Sequence, residues 1–129
     1  MPKYYKINYD WGYKYWKLSD DVLLEAIITS NITIVERTLI QWLSHLENGT
    51  TSVDKQNITC WYYGGVWLHY VKNENTLSLY MHSSGEDAFD SLAYCANEIA
   101  KIFYQSHTTT NIQWVEHPHR RNNIKETTK

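Results

Sequence analysis

Glycine is sparse in this chain, and its placement excludes a large class of chemistry. The five glycines among 129 residues are scattered. Gly64-Gly65 has no GKS, GKT or GxGxxG context, so no loop is built to cradle a phosphate. No GxSxG elbow presents a strained nucleophilic serine. Cysteine is equally scarce. Cys60 and Cys95 stand alone, without the CxxC spacing of a thiolate metal site; they read as buried free thiols, with a disulfide between them as the alternative. No apolar run approaches the roughly eighteen residues of a membrane span. Three sequons, at Asn31, Asn48 and Asn57, occur with no signal peptide ahead of them, and the expected location is cytoplasmic. No internal repeat or interdomain linker interrupts the chain.

Phenylalanine is nearly absent, and the aromatic content is instead eleven Tyr and six Trp against two Phe. Amphipathic rings combine contact area with a polar tip, which suits them to interfaces as well as to cores. The formal charge is −2, unevenly spread. Residues 1–115 hold eight Lys and Arg against twelve Asp and Glu, and residues 116–129 hold four against two. An acidic body of this kind favours a basic partner over a phosphate backbone.

The densest apolar run covers residues 57–81, which read as three antiparallel strands over 57–63, 66–72 and 76–82. Gly64-Gly65 breaks the first pair and Asn73-Glu74-Asn75 the second. Alternation puts Val66, Leu68 and Tyr70 on one face and Trp67, His69 and Val71 on the other. In the third strand Leu77, Leu79 and Met81 oppose Ser78, Tyr80 and His82. Neither side is plainly polar, so the second face is expected to be covered or used for contact.

Before this run, residues 3–18 read as a strand pair around Asp10-Trp11-Gly12, with aromatic residues interleaved with Lys3, Lys6, Lys14 and Lys17. Such a pattern suits an edge hairpin whose lysines deter aggregation, or a platform for stacked bases. Ser19-Asp20-Asp21 looks like a helix start, predicting a helix over 20–29, with Ile27-Ile28 and residues 32–34 as strand in the alternative. Thr33 and Glu36 form a capping-box pattern ahead of Val35, Leu39, Trp42, Leu43 and Leu46, a second helix ended by Asn48-Gly49. Residues 49–56 then read as a loop. A third helix is predicted from Ser84 as cap, with Phe89, Leu92, Ala93, Ala96, Ile99, Ala100 and Phe103 on one face. Residues 112–115 read as a last strand, and residues 117–129 as a flexible basic tail. The expected fold is one α+β domain over residues 1–116: an antiparallel sheet of about four to six strands packed on two or three helices.

Among candidate chemical groups, the pairs Asp20-Asp21 and Glu86-Asp87 fall at predicted helix starts, where capping explains them. His69 and His82 lie on neighbouring predicted strands, and His117 and His119 form an HxH before two arginines. No carboxylate stands at a fixed spacing to either pair, so no catalytic residue, metal or cofactor is expected. Composition and charge instead suit a non-catalytic inhibitor of the immunity, antitoxin or phage counter-defence kind. It would neutralise a basic protein, such as a nuclease toxin or a defence enzyme, by direct binding. The expected contact residues are Tyr13, Tyr15, Trp67, Tyr80, Asp87 and Asp90. A single-stranded nucleic-acid binder using the Lys/aromatic hairpin, and a small histidine-dependent enzyme, are the alternatives.

Overall fold

The computed structural model describes residues 21–53, 55–85, 87–106 and 110–117. Six strands and two helices form one α+β domain: β1 (Asp21–Thr29), α1 (Ile32–Leu43), β2 (Glu47–Val53), β3 (Gln56–Tyr63), β4 (Val66–Lys72), β5 (Thr76–Ser84), α2 (Ala88–Ser106) and β6 (Asn111–His117). The sheet is antiparallel throughout its pairings, in the order β2-β3-β4-β5-β1-β6. The strand pair expected over residues 3–18, the tail after Pro118, and the contact residues Tyr13 and Tyr15 lie outside the described residues. Among the described residues, no helix is long and apolar enough to cross a membrane.

The β3–β4–β5 meander follows the sequence closely. Gly64 and Gly65 form a two-residue turn with φ of 54° and 85°, a conformation that glycine adopts without a Cβ penalty. This turn fixes the register Tyr63↔Val66, Tyr62↔Trp67 and Trp61↔Leu68. The next pairing, Trp67↔His82 through Lys72↔Leu77, puts Val66, Leu68, Leu77, Leu79 and Met81 on one side, all of them buried.

The helix predicted over 20–29 is instead β1, the strand between β5 and β6. Its residues Val22, Leu23, Leu24, Ala26 and Ile28 are all buried, which explains the difference. A central strand buried on both faces gives a continuous apolar run, which periodicity alone does not separate from a helix. Asp21 is therefore a strand residue paired with Ser84, not a helix-start acid.

Helix α1 begins two residues earlier than the capping-box pattern predicts. Asn31 is the N-cap, its Oδ1 accepting the Ile34 N–H at 3.2 Å, and Thr33 lies inside the helix. The helix ends at Leu43 with Ser44 as C-cap, so Asn48 and Gly49 do not terminate it. They belong to β2, and the predicted loop over 49–56 is the β2–β3 hairpin, turned between Val53 and Gln56. The Thr-rich run reads as loop by composition, but its pairing with β3 holds it extended.

Helix α2 starts at Ala88, and Ser84 is the last residue of β5 rather than its cap. Gly85, at φ 94°, makes the turn between them. Leu92, Ala96, Ile99, Ala100 and Phe103 are buried as the periodicity predicts, and Cys95 joins them. These residues pack with Val35, Leu39 and Leu43 of α1 against the sheet face of Val22, Leu24, Ala26 and Ile28. Both helices thus lie on one face. Cys60 and Cys95 are both buried free thiols, and burial pushes each pKa upward.

Candidate functional site

The register brings one set of residues to one end of the sheet. There the β3–β4 turn lies beside the first turns of α2: the Ser83 hydroxyl donates to the Gly65 carbonyl at 2.9 Å, and a methyl group on Gly65 would lie 3.6 Å from Ser91 Oγ. Aromatic residues flank this turn on both sides of the sheet. On the face away from the helices, Tyr62 and Trp67 meet edge to face, with centroids 5.4 Å apart. On the helix face, Tyr63 stacks on Tyr94 at 6.1 Å and meets Trp42 at 5.2 Å. Trp67 is 50% exposed and Tyr94 63%, the two most exposed large hydrophobic side chains among the described residues.

Acidic residues accompany the rings. Asp87 precedes α2 and Asp90 lies in its first turn, both exposed, where the helix dipole favours negative charge. Glu47, at the start of β2, pairs in register with Tyr62. The described cations lie elsewhere: Lys55 in the opposite turn, Lys72 at the far end of β4, Arg37 midway along α1 and Lys101 in the second half of α2. Residues 21–117 as a whole contain four Lys and Arg against eleven Asp and Glu, a balance of −7. Among the described residues, the turn end is therefore an aromatic and acidic pole.

Tyr63 is half-buried within this pole. The Tyr63 phenol is pushed up to about 12, first by desolvation, then by its hydrogen bond with Tyr94 and by the Glu98 carboxylate. It stays protonated at neutral pH. On the same helix face of the sheet, Trp61 stacks on Tyr70 at 5.9 Å. Tyr70 donates to Glu36 Oε2 at 3.1 Å, and Lys72 Nζ donates to Glu36 Oε1 at 3.1 Å.

Of the contact residues expected from sequence, Trp67, Asp87 and Asp90 lie at this pole. Tyr80 does not. It sits farther into the second sheet face, half-buried and stacked on His69 at 4.9 Å. The pole also includes Tyr62, Tyr63, Tyr94 and Glu47, which sequence reasoning missed. A signal for two of them was present. Tyr94 stands four residues after Asp90 and so shares its helix face; a two-residue turn at Gly64-Gly65 makes Tyr62 the partner of Trp67.

The histidines form a separate row on the second face. His69 stacks on His82 at 5.2 Å, diagonally, since the direct partners are His69↔Tyr80 and Trp67↔His82. His117 is the last residue of β6 rather than the first of a tail, its Nε2 2.9 Å from Glu25 Oε1, while His119 lies outside the described residues. Glu25 orients that imidazole, which is half of a general-base arrangement. The described residues hold no group of three or more His, Cys, Asp or Glu placed to bind a metal ion. Comparison with family models, with curated proteins and with solved structures finds no match to this chain.

Proposed function

We propose that this chain is a non-catalytic binding protein that neutralises a basic protein partner by covering its working surface. The partner fits the class of nuclease toxins and defence enzymes, and the chain would then act as an immunity, antitoxin or phage counter-defence protein. The observation that carries this reading is the pole itself: exposed Trp67 and Tyr94 flank one turn, with Asp87, Asp90 and Glu47 around them. Tyr and Trp anchors supply most of the energy at protein interfaces, while surrounding charge steers association and selects the partner's sign. The −7 balance of residues 21–117 adds to that selection.

Tagged full-length chain, incubated in a native lysate of the cells that encode it, tests this reading against the Trp67→Ala/Tyr94→Ala double variant. The expected result is a basic protein held in stoichiometric amount by the wild type and lost from the variant. Identical capture by both proteins, or retention of nuclease-sensitive nucleic acid in place of a protein, would contradict it. The alternative of single-strand binding rests on the Lys/aromatic stretch outside the described residues, and the acidic balance of the rest opposes it.

A further inference from the structure

Strand β2 ends the sheet at one side: β3 pairs with it, and among the described residues no strand lies along its outer edge. Soluble proteins usually guard such an edge with lysine, proline, a bulge or inward-facing charge. Between Glu47 and the turn, this strand reads Asn-Gly-Thr-Thr-Ser-Val, with none of these residues. Asn48, Thr50 and Ser52 are exposed.

We propose that β2 pairs antiparallel with β2 of a second copy, joining two six-stranded sheets into one. The register follows from the hairpin. Val53 pairs with Gln56 across a two-residue turn, so this flanking pair exchanges hydrogen bonds and the alternation continues along β2. That alternation leaves the backbone N–H and C=O of Thr50 and Ser52 pointing outward. A two-fold axis perpendicular to the sheet keeps each face on its own side, so residues of the same parity must meet. Centred on Thr51, the pairing sets Thr51 opposite Thr51 and Thr50 opposite Ser52, with their outward groups bonding in both directions. Threonine and serine are favourable cross-strand neighbours.

The same register sets Glu47 of one copy level with Lys55 of the other, twice over. Both residues are exposed, and neither has an ion-pair partner among the described residues. Charge complementarity thus selects this alignment over the neighbouring allowed ones, which shift it by two residues. Two seven-residue edges bury less than the roughly 1,200 Å² of a stable standard interface. The dimer is therefore reversible and depends on concentration. This proposal does not rest on the partner-binding reading: Glu47 is the one residue that the two share, and self-association is measured with no partner present.

Sedimentation velocity on the full-length chain, from micromolar to millimolar concentration, tests it. The wild type is expected to move from monomer towards dimer. Thr50→Pro removes an outward N–H at a position where edge strands tolerate proline, and it is expected to weaken self-association at least about tenfold. Glu47→Lys is expected to weaken it roughly threefold to tenfold by setting two lysine pairs in register, and the added Lys55→Glu restores it. The charge pair keeps the test decisive if Thr50→Pro disturbs folding. A chain that remains monomeric throughout would overturn the proposal. So would a dimer indifferent to Thr50→Pro in a folded variant, or a charge-reversed double variant no better than Glu47→Lys alone.

Discussion

Lys55 has a backbone φ of 65°, the left-handed region that a side chain enters at a cost of about 1–2 kcal/mol. It sits in the turn of the β2–β3 hairpin, where glycine takes that conformation freely. After the added freedom of glycine in the unfolded chain, Lys55→Gly is expected to stabilise the fold by about 0.5–1 kcal/mol. Urea unfolding at low protein concentration measures this, and a loss of stability would count against the turn geometry. Glu36 gives a second residue-level expectation. Its carboxyl is held below the usual range chiefly by the hydrogen bond from Lys72, with a smaller contribution from Tyr70 and partial opposition from burial. A depressed folded pKa contributes stability that is present above the unfolded value and lost as pH falls through the folded one. Wild-type stability should therefore fall more steeply than that of Glu36→Gln between about pH 5 and about pH 3. Parallel profiles from denaturant titrations would show that this bond carries no net stability.

At the level of elements, helix α2 closes the sheet with Leu92, Ala96, Ile99, Ala100 and Phe103, all buried. Truncating the largest of these, Phe103→Ala, is expected to cost about 3–5 kcal/mol through lost burial and the cavity left behind. Chemical denaturation checks it, and a cost below about 1 kcal/mol would mean that the helix does not close the core. This helix was legible in the sequence from its single clear period, and the β3–β4–β5 meander from its β-branched and aromatic residues with glycine and asparagine punctuation. β1 was not: apolar residues on both of its faces are buried, so residues 22–24 and 26–28 carry no alternation to read. β2 was missed for the opposite reason, since its polar Thr and Ser residues become a strand through pairing with β3 rather than through burial of their own. At α1 both Asn31 and Thr33 are residue types that start helices, and the hydrogen bond from the Ile34 N–H to Asn31 decides between them. At the candidate site, Trp67, Asp87 and Asp90 were legible from residue type. Their assembly with Tyr62, Tyr63 and Tyr94 required the hairpin register and the placement of α2 beside Gly65.

Across the described residues, the most exposed rings gather at one end of the sheet and the Lys and Arg side chains lie away from it. The turn end gathers Trp67, Tyr94, Asp87, Asp90 and Glu47, while Lys55 and Lys72 lie at the other end of the sheet. None of Trp67, Tyr94, Asp87 or Asp90 belongs to the hydrophobic core, so removing them should affect association more than folding. Reversing the two aspartates, Asp87→Lys/Asp90→Lys, is expected to slow association with a basic partner and flatten its salt dependence, with a smaller effect on dissociation. Stopped-flow association at two ionic strengths measures that difference. The role of the pole is tested most directly by the dissociation constant of the captured partner for wild type and for Trp67→Ala, alongside their unfolding free energies. Binding should weaken by about 2 kcal/mol, roughly thirtyfold, with folding stability lowered by no more than about 1.5 kcal/mol through the lost contact with Tyr62. Equal affinity of the two proteins for that partner would contradict the assignment of the pole as the binding surface.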